Sequence, residues 1–483
     1  MTATDHIQAL RALLGEKGLL ADAADMVAYE TGARYDQGRA AFVARPASTQ
    51  EVSAVVSYCV RNGIHLIPQS GNTGLVSGST PDGTGTQGVL SLERLTAPFD
   101  LDRANRSVHV GAGMRLSDLN AKLEEHGLFF PIDLGADPRI GGMVSTNTGG
   151  SRFLRYGDVR RNTLGLKVVL ADEEGTILDL SSSLRKNNTG VDWKQIFIGT
   201  SGAYGVVTEC VLNLEPLPRQ TATAILVPSD PKDVPELLLA LEEALGSQLS
   251  ALEGMSDNAV RAALDHVPSL RNPFQAGTIP PFSLLLEISR SNAPLKGEQP
   301  LDQMLEEVLG SIWEGENALL ADAIIGKPHE VWALRHALSE GVKNSGRLIA
   351  FDLAFRRADV MRFLDHMKEH MPSRFPGVQI CDFGHVGDGG VHFNLVIARD
   401  DPHATDPTFE DSLRAWVIDV CVKDFHGSFS AEHAIGRKNQ AFYNHYTPAE
   451  LLRLGAEFKS ITSPGLLGSV EFGTPASRTA AIL

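Results

Sequence analysis

The sequence predicts an α+β protein. Three observations carry this prediction. The chain has 483 residues, which at roughly 150 residues per domain allows about three domains or two large ones. Short β-like runs alternate with amphipathic helices along its length, and 43% of its residues are hydrophobic, enough for true cores. One break, Glu215-Pro216-Leu217-Pro218, interrupts the pattern and is the best single domain boundary.

The elements follow in order. Residues from Asp5 to about Asp36 read as helix with short loops. Ala41–Ala44 reads as a strand stopped by Pro46. Thr49–Asn62 is an amphipathic helix with Val52, Val55, Val56, Cys59 and Val60 on one face and Gly63 after it. His65–Pro68, Val89–Leu92 and Ser107–Val110 read as strands, and Leu116–Glu125 as a helix closed by Gly127. Strands are expected at Leu166–Ala171, Thr176–Asp179 and Val206–Asn213. Beyond the break, strands are expected at Thr221–Val227, Phe282–Ser289 and Arg347–Phe355, and helices at Val234–Leu245, Leu301–Glu314 and Pro328–Lys343. This alternation suggests a sheet covered on one face by helices. The tail Pro448–Lys459 reads as helix.

Charge and cysteine usage narrow the function. With 43 Lys+Arg against 59 Asp+Glu the net charge is −16, which repels phosphate backbones and argues against a nucleic-acid partner. The longest apolar runs, such as Leu237–Leu241, are far shorter than the roughly 18 residues a membrane span needs. The first twenty residues carry Asp5, Arg11, Glu16 and Lys17, so no secretory signal is expected. Cys59, Cys210, Cys381 and Cys421 are scattered, with no CxxC pair, which excludes a disulfide scaffold, a thiolate zinc knuckle and a cysteine-ligated iron–sulfur cluster. A reducing cytosol is the expected compartment.

Glycine clusters carry the next signal. Gly83-Thr84-Gly85-Thr86-Gln87-Gly88 spells GxGxxG, but it precedes a strand-like run, whereas a dinucleotide fingerprint follows a strand and opens a helix. Three other clusters lie before Pro216. They are Pro68-Gln69-Ser70-Gly71-Asn72-Thr73-Gly74, the stretch from Ile140-Gly141-Gly142 to Asn147-Thr148-Gly149-Gly150, and Gly199–Val207. Backbone without side chains approaches anions closely, and successive N–H groups form a nest for phosphate oxygens. Each cluster alone also fits a tight turn between strands. The three together point to a bound nucleotide cofactor.

In the second half, Phe383-Gly384-His385-Val386-Gly387-Asp388-Gly389-Gly390-Val391-His392-Phe393-Asn394 has hairpin chemistry. With Gly387–Gly390 as the turn, His385 opposes His392 and the two imidazoles converge. Asn394, two residues on, shares the face of His392. Two histidines fall short of the three ligands of a catalytic zinc, and Glu432-His433 offers candidates after an extended stretch, Gly427–Ala431. Paired surface histidines and an unrelated glutamate satisfy the same pattern. On the helix, Arg335 and Ser339 lie four apart on one face, suited to grip a carboxylate.

These motifs carry a resemblance. The PQSGNTG loop, IGGMVSTNTGG, Arg152–Asp172, Ser183–Glu209, GHVGDGGVHFN and SAEHAIG are similar to the vanillyl-alcohol-oxidase/PCMH flavoproteins. Within these, they resemble the FAD-linked D-2-hydroxyacid dehydrogenases, the D-2-hydroxyglutarate dehydrogenases above all. The resemblance implies a PCMH-type FAD domain of two α+β subdomains in 1–218. It also implies a substrate domain with a large antiparallel sheet covered by helices in 219–440, and a helical segment 441–483 returning to the FAD domain. It implies non-covalent FAD contacts at Pro68, Gln69, Ser70, Gly71, Asn72, Thr73, Gly74, Gly141, Gly142, Asn147, Gly205, Val206 and Val207; the first loop has no His or Cys to link a flavin. It implies Zn²⁺ or another divalent metal on His385, His392 and Glu432, substrate contacts from Arg335, Ser339, Asn394 and His433, and His433 as the general base.

The implied activity is oxidation of a D-2-hydroxyacid (D-2-hydroxyglutarate, D-lactate or D-malate) to the 2-oxoacid. Hydride goes to flavin N5, and electrons pass on to an acceptor such as an electron-transfer flavoprotein or a quinone. A homodimer is an inherited expectation. A metal-independent flavin alcohol oxidase and a non-catalytic flavoprotein subunit are the alternatives. Three positions depart from the family. Ala350 stands where the relatives have a substrate-binding lysine, with Lys343 and Arg356 the nearby cations. Thr200-Ser201-Gly202 replaces a glycine-glutamate-glycine segment, and the closing Asn-Pro motif is absent.

Overall fold

Ser48 starts the helix Thr49–Arg61 by accepting a hydrogen bond from the Glu51 N–H at 3.2 Å, while the Glu51 carboxylate accepts from the Ala47 N–H at 2.7 Å. Caps of this kind satisfy N–H groups that a helix leaves open at its start. Val52, Val55, Val56 and Cys59 on the inner face are fully buried, and Gly63 turns the chain away with φ +65°. The structure, a computed structural model, describes residues 2–34, 37–274, 277–314 and 318–473. The end of the expected first helical stretch at Asp36 and the last ten residues of the expected 441–483 segment lie outside the described residues.

Two compact units emerge. The first comprises Met1–Gly149, Asp158–Pro216 and Glu432–Leu483, and the second Gly150–Gly157 and Leu217–Ala431. The first holds a four-stranded sheet in the order Leu19–Leu20, Ala40–Ala44, Gln87–Ser91, Leu66–Gln69. Gln87–Ser91 runs parallel to both of its neighbours. Gln87 and Gly88 thus open a strand, which disposes of the GxGxxG motif as a dinucleotide fingerprint. A five-stranded antiparallel sheet follows, in the order Phe99–Asp102, Ser107–Gly111, Val206–Asn213, Thr163–Val169, Ile177–Leu180. The helices Leu116–Glu124 and Ile140–Thr146 bury their apolar faces in its core. The second of these runs where a glycine turn was one of the readings. Gly141 permits it: a Cβ there would sit 2.6 Å from that of Ala112. The late helix Ala449–Thr462 joins this unit, with the Thr462 carbonyl accepting from the Ala171 N–H at 3.1 Å and Leu467 bridging Leu66.

The second unit is built on an eight-stranded antiparallel sheet. Its main order is Leu320–Gly326, Gln220–Pro228, Phe282–Arg290, Leu249–Ser256, Phe383–Gly384, Gly390–Ile397, Arg347–Ala354; Gln379–Ile380 also pairs with Gly390–Ile397. The expectation of one covered face is corrected. Phe282–Arg290 is buried at all nine positions, so both faces are covered. Asp257–His266 and Pro328–Ser345 share a core with Ile225, Leu285 and Val396 on one face. On the other, Phe363 of the helix Val360–Arg374 meets Phe393 edge-on at 5.2 Å.

Candidate active site

In the first unit the three glycine clusters come together. A Cβ on Gly142 would lie 3.2 Å from the Ser70 Cβ, one on Gly71 3.2 Å from the Arg139 nitrogen, and one on Gly202 3.5 Å from the Pro68 ring. The Ser201 N–H donates to the Ser145 carbonyl at 2.7 Å and the Gly199 N–H to that of Val144 at 3.1 Å. Asn72, Asn147 and Ser201 all take positive φ, near +50°. Their side chains hold the loops: the Asn72 amide donates to the Thr31 carbonyl (2.8 Å), and the Asn147 amide donates to Asp158 (2.9 Å) while accepting from the Arg160 N–H (2.8 Å). Gln69 is spent likewise on the Tyr29 and Ser79 carbonyls. Val206 and Val207 are core side chains, so only their backbone can face a cofactor. What remains for a ligand is mostly backbone plus small hydroxyls. The Ser70 and Ser77 Oγ atoms are buried with no hydrogen-bond partner among the described residues. Orphaned hydroxyls in a glycine cradle fit a phosphate-bearing cofactor.

In the second unit the chemistry collects on the sheet face beneath the Arg335 helix. His385 and His392 do converge, with ring centroids 5.0 Å apart. The expected register is corrected: His392 pairs with Phe383, and His385 lies in the turn, its carbonyl accepting from the N–H groups of Asp388, Gly389 and Gly390. Asn394 pairs with Ala350, and His392 with Asp352, so these four side chains share a face. Asn394 is 5% exposed.

Arg335 is placed by its helix. Trp332, one turn earlier, donates its indole N–H to Glu287 at 2.7 Å, and Arg152 holds the same carboxylate with a two-pronged contact at 2.7 and 2.8 Å. The Arg335 Nε donates to Glu253 at 2.8 Å, and its guanidinium lies 4.9 Å from the Phe383 ring centre. One edge of the fork is therefore taken, and Nη1 and Nη2 bond no described residue. Ser339 is exposed, as are Lys343 and Arg356.

Sequence reasoning missed two acids. Glu253, 1% exposed, places Oε1 2.8 Å from His385 Nδ1 and Oε2 on Arg335. Burial pushes its carboxyl up, but His385 and Arg335 outweigh this and hold it down to about 2. Asp352, also buried, has Oδ1 3.7 Å from His392 Nδ1, and its Oδ2 accepts from the Ala431 N–H at 3.0 Å. Both sit at buried strand positions, where a charge needs a partner, but the local pattern of neither strand marks that burial.

Glu432 and His433 follow directly on Ala431 and open the last segment of the first unit. Both are half-buried. There Glu432 Oε2 stands 2.8 Å from the Cβ position of Gly149, at the end of the second glycine cluster. Ala434 takes φ +61°, and its carbonyl accepts from the Asn439 amide at 3.1 Å, fixing the turn after His433. In the second unit, His385, His392 and the Asp352 carboxylate beside His392 form a donor set suited to a divalent cation. A buried carboxylate on the far nitrogen of one imidazole is the usual outer partner of such a ligand.

Fold and site together define a flavin-binding oxidoreductase whose second unit carries a histidine–carboxylate–arginine site. The FAD binding domain family matches residues 40–181, and the C-terminal domain of FAD linked oxidases matches 217–465. The D-2-hydroxyglutarate dehydrogenase of Danio rerio, named as mitochondrial, is 33% identical over 433 residues, covering 89% of this chain and 77% of the relative. The D-2-hydroxyglutarate–pyruvate transhydrogenase of Saccharomyces cerevisiae is 30% identical, covering 90% and 87%. In structure, the chain is similar to 4-ethylphenol oxidase from Gulosibacter chungangensis, with a TM-score of 0.73 at 15% identity and 99% and 98% of the chains covered. For p-cresol methylhydroxylase the TM-score is 0.71, at 15% identity and 96% and 95% coverage. The chain belongs to the FAD-linked oxidases, in the group of FAD-linked D-2-hydroxyacid dehydrogenases. No helix among the described residues is long and apolar enough to cross a membrane.

Proposed function

We propose that this chain oxidises a D-2-hydroxyacid, of the size of D-lactate, D-malate or D-2-hydroxyglutarate, to its 2-oxoacid with bound FAD and a divalent cation, zinc first among them. The observation that carries this reading is the gathering of His385, His392, Asn394 and Arg335 on one sheet face. The relatives named for D-2-hydroxyglutarate support the substrate class.

FAD, when bound, supplies the two-electron acceptor, and the cation a Lewis acid that acidifies the substrate hydroxyl. His385, His392 and Glu432 would hold the cation, with Asp352 beside His392. Chain connectivity supports Glu432: Ala431 is fastened to Asp352, and consecutive Cα atoms are only about 3.8 Å apart. The two terminal nitrogens of Arg335 grip the substrate carboxylate, and Asn394 fixes its orientation. Ser339 borders the grip on the exposed side. His433 takes the hydroxyl proton, a role an imidazole fills as general base. Pro68–Gly74, Gly141, Gly142, Asn147 and Gly205–Val207 would cradle FAD without a covalent bond, chiefly through backbone. Electrons leave to an external acceptor such as an electron-transfer flavoprotein or a quinone. A reducing cytosol, supported by four free buried cysteines, and a homodimer belong to the same reading.

The test is a panel of D- and L-2-hydroxyacids with an artificial dye acceptor, run with and without EDTA. Turnover of D-acids only, abolished by EDTA and restored by Zn²⁺, is expected. Turnover indifferent to chelation would give the site to a metal-independent flavin oxidase, and a preparation that never takes up flavin would end the reading.

A further inference from the structure

Glu253 holds neither substrate nor cation in the proposed function. It sits in the middle of the strand Leu249–Ser256, buried at all eight positions, and its two oxygens reach two different functional side chains. Oε1 meets His385 Nδ1 at 2.8 Å, and Oε2 meets Arg335 Nε at 2.8 Å. Arg335 and His385 are themselves 8% and 9% exposed. An ionised carboxylate only accepts hydrogen bonds. His385 therefore donates from Nδ1, which leaves Nε2, on the opposite edge of the ring, as the nitrogen a cation would take. The same carboxylate takes Nε of Arg335, and Nη1 and Nη2 bond no described residue.

We propose that Glu253 is the positioning residue of this site: one buried carboxylate sets the metal-competent tautomer of His385 and aims Arg335 at the substrate carboxylate. The proposal rests on the reading of His385 as a metal ligand and Arg335 as the carboxylate clamp. It adds the coupling between them. Cation grip and substrate grip are held in one geometry because they share an acceptor. Arg335 is thereby neutralised in place, so the pair adds no net charge to a buried face.

The test is Glu253→Gln, read by zinc affinity and by steady-state kinetics on the flavin-loaded full chain. Glutamine matches glutamate in shape. Its oxygen can still accept from Arg335, but its NH₂ then faces His385 Nδ1 and can only donate. That forces the imidazole proton onto Nε2, the edge a metal needs. Competition with a chromophoric chelator, using Zn²⁺ alone as probe, is expected to show affinity lowered roughly 10- to 100-fold, the usual cost of losing such an outer partner. In a His385→Ala background the same substitution should change zinc affinity no further, and KM for the hydroxyacid should rise. Glu253→Asp keeps the acceptor and should lose less zinc affinity than Glu253→Gln, which also serves if the glutamine variant fails to take up flavin. Unchanged zinc affinity in Glu253→Gln while His385→Ala lowers it would overturn the proposal. So would an equal loss in both backgrounds, or equal losses for Asp and Gln. If His385→Ala itself leaves zinc binding intact, the ligand reading beneath the proposal falls instead.

Discussion

His385 and His392 present their rings to each other at 5.0 Å and an angle of 76°, although they are not register partners. The convergence comes from the turn. Residues 385–390 wind about the His385 carbonyl, and Gly389, at φ +99°, passes so close to Phe355 that a Cβ would lie 2.2 Å from its carbonyl oxygen. The geometry is therefore built by backbone that only glycine permits. It follows that His385→Ala and His392→Ala should each weaken Zn²⁺ binding by at least about 100-fold, beyond what outer partners cost, while flavin content stays at the wild-type level. Metal analysis beside the flavin absorbance checks both. Wild-type zinc content in either variant would remove that histidine from the ligand set.

His433 is fixed by a left-handed Ala434 and by the Asn439 amide on the carbonyl that follows it. That backbone lies one residue past a proposed ligand, where His433 is the proposed base. His433→Ala should keep flavin and zinc and lose kcat by roughly 10²- to 10⁴-fold, the span of general-base catalysis. A rise in KM alone, with kcat unmoved, would recast it as a binding residue.

The legible parts of the sequence were those with a period or a spacing. The helices Thr49–Arg61 and Val234–Leu245 declare themselves through their apolar faces, and the strand Val206–Asn213 through its β-branched run. The histidine pair was legible because glycine and aspartate mark a turn. The strand Leu249–Ser256 was not: it is buried on both faces, so it shows no alternation, and Glu253 within it looks like an ordinary surface charge until its partners are seen. Those partners, Arg335 and His385, lie 82 and 132 residues away. Contacts at such separation belong to the topology, and local pattern does not encode them.

Ala350 and Asn394 are register partners, so a longer side chain at 350 would stand beside the proposed substrate anchor. The one cation buried on this face among the residues considered for substrate, Arg335, is already paired with Glu253, while Lys343 and Arg356 are exposed. A substrate with one carboxylate is well served by this arrangement. Ala350→Lys should therefore raise kcat/KM for D-2-hydroxyglutarate relative to D-lactate by roughly tenfold, what a charge-assisted hydrogen bond of about 1.5 kcal/mol provides. An unchanged ratio would mean that another group already meets the second carboxylate.

Asp382 gives the sharpest statement about stability. It is 1% exposed, and the nearby Ser256 hydroxyl donates to its backbone carbonyl at 2.8 Å, which leaves the carboxylate oxygens without a well-formed hydrogen bond. Burial pushes its pKa up from 3.8, opposed by the charge of Lys368. The folded state therefore binds this proton more tightly than the unfolded chain does. The sign is fixed by linkage: the contribution to stability is most favourable below the unfolded pKa and is lost as pH rises through the folded value, above which a charge must stay buried. Asp382→Asn removes that charge while keeping the shape. The variant should melt higher than wild type by a few degrees at pH 8, where roughly 1 kcal/mol corresponds to about 2–4 °C in a domain of this size. The gain should shrink as pH falls toward 4 and the buried carboxyl takes up its proton. Paired thermal melts across that range decide the matter. A gain independent of pH, or a lower Tm at pH 8, would mean that the carboxylate is satisfied in the folded protein and stabilises it.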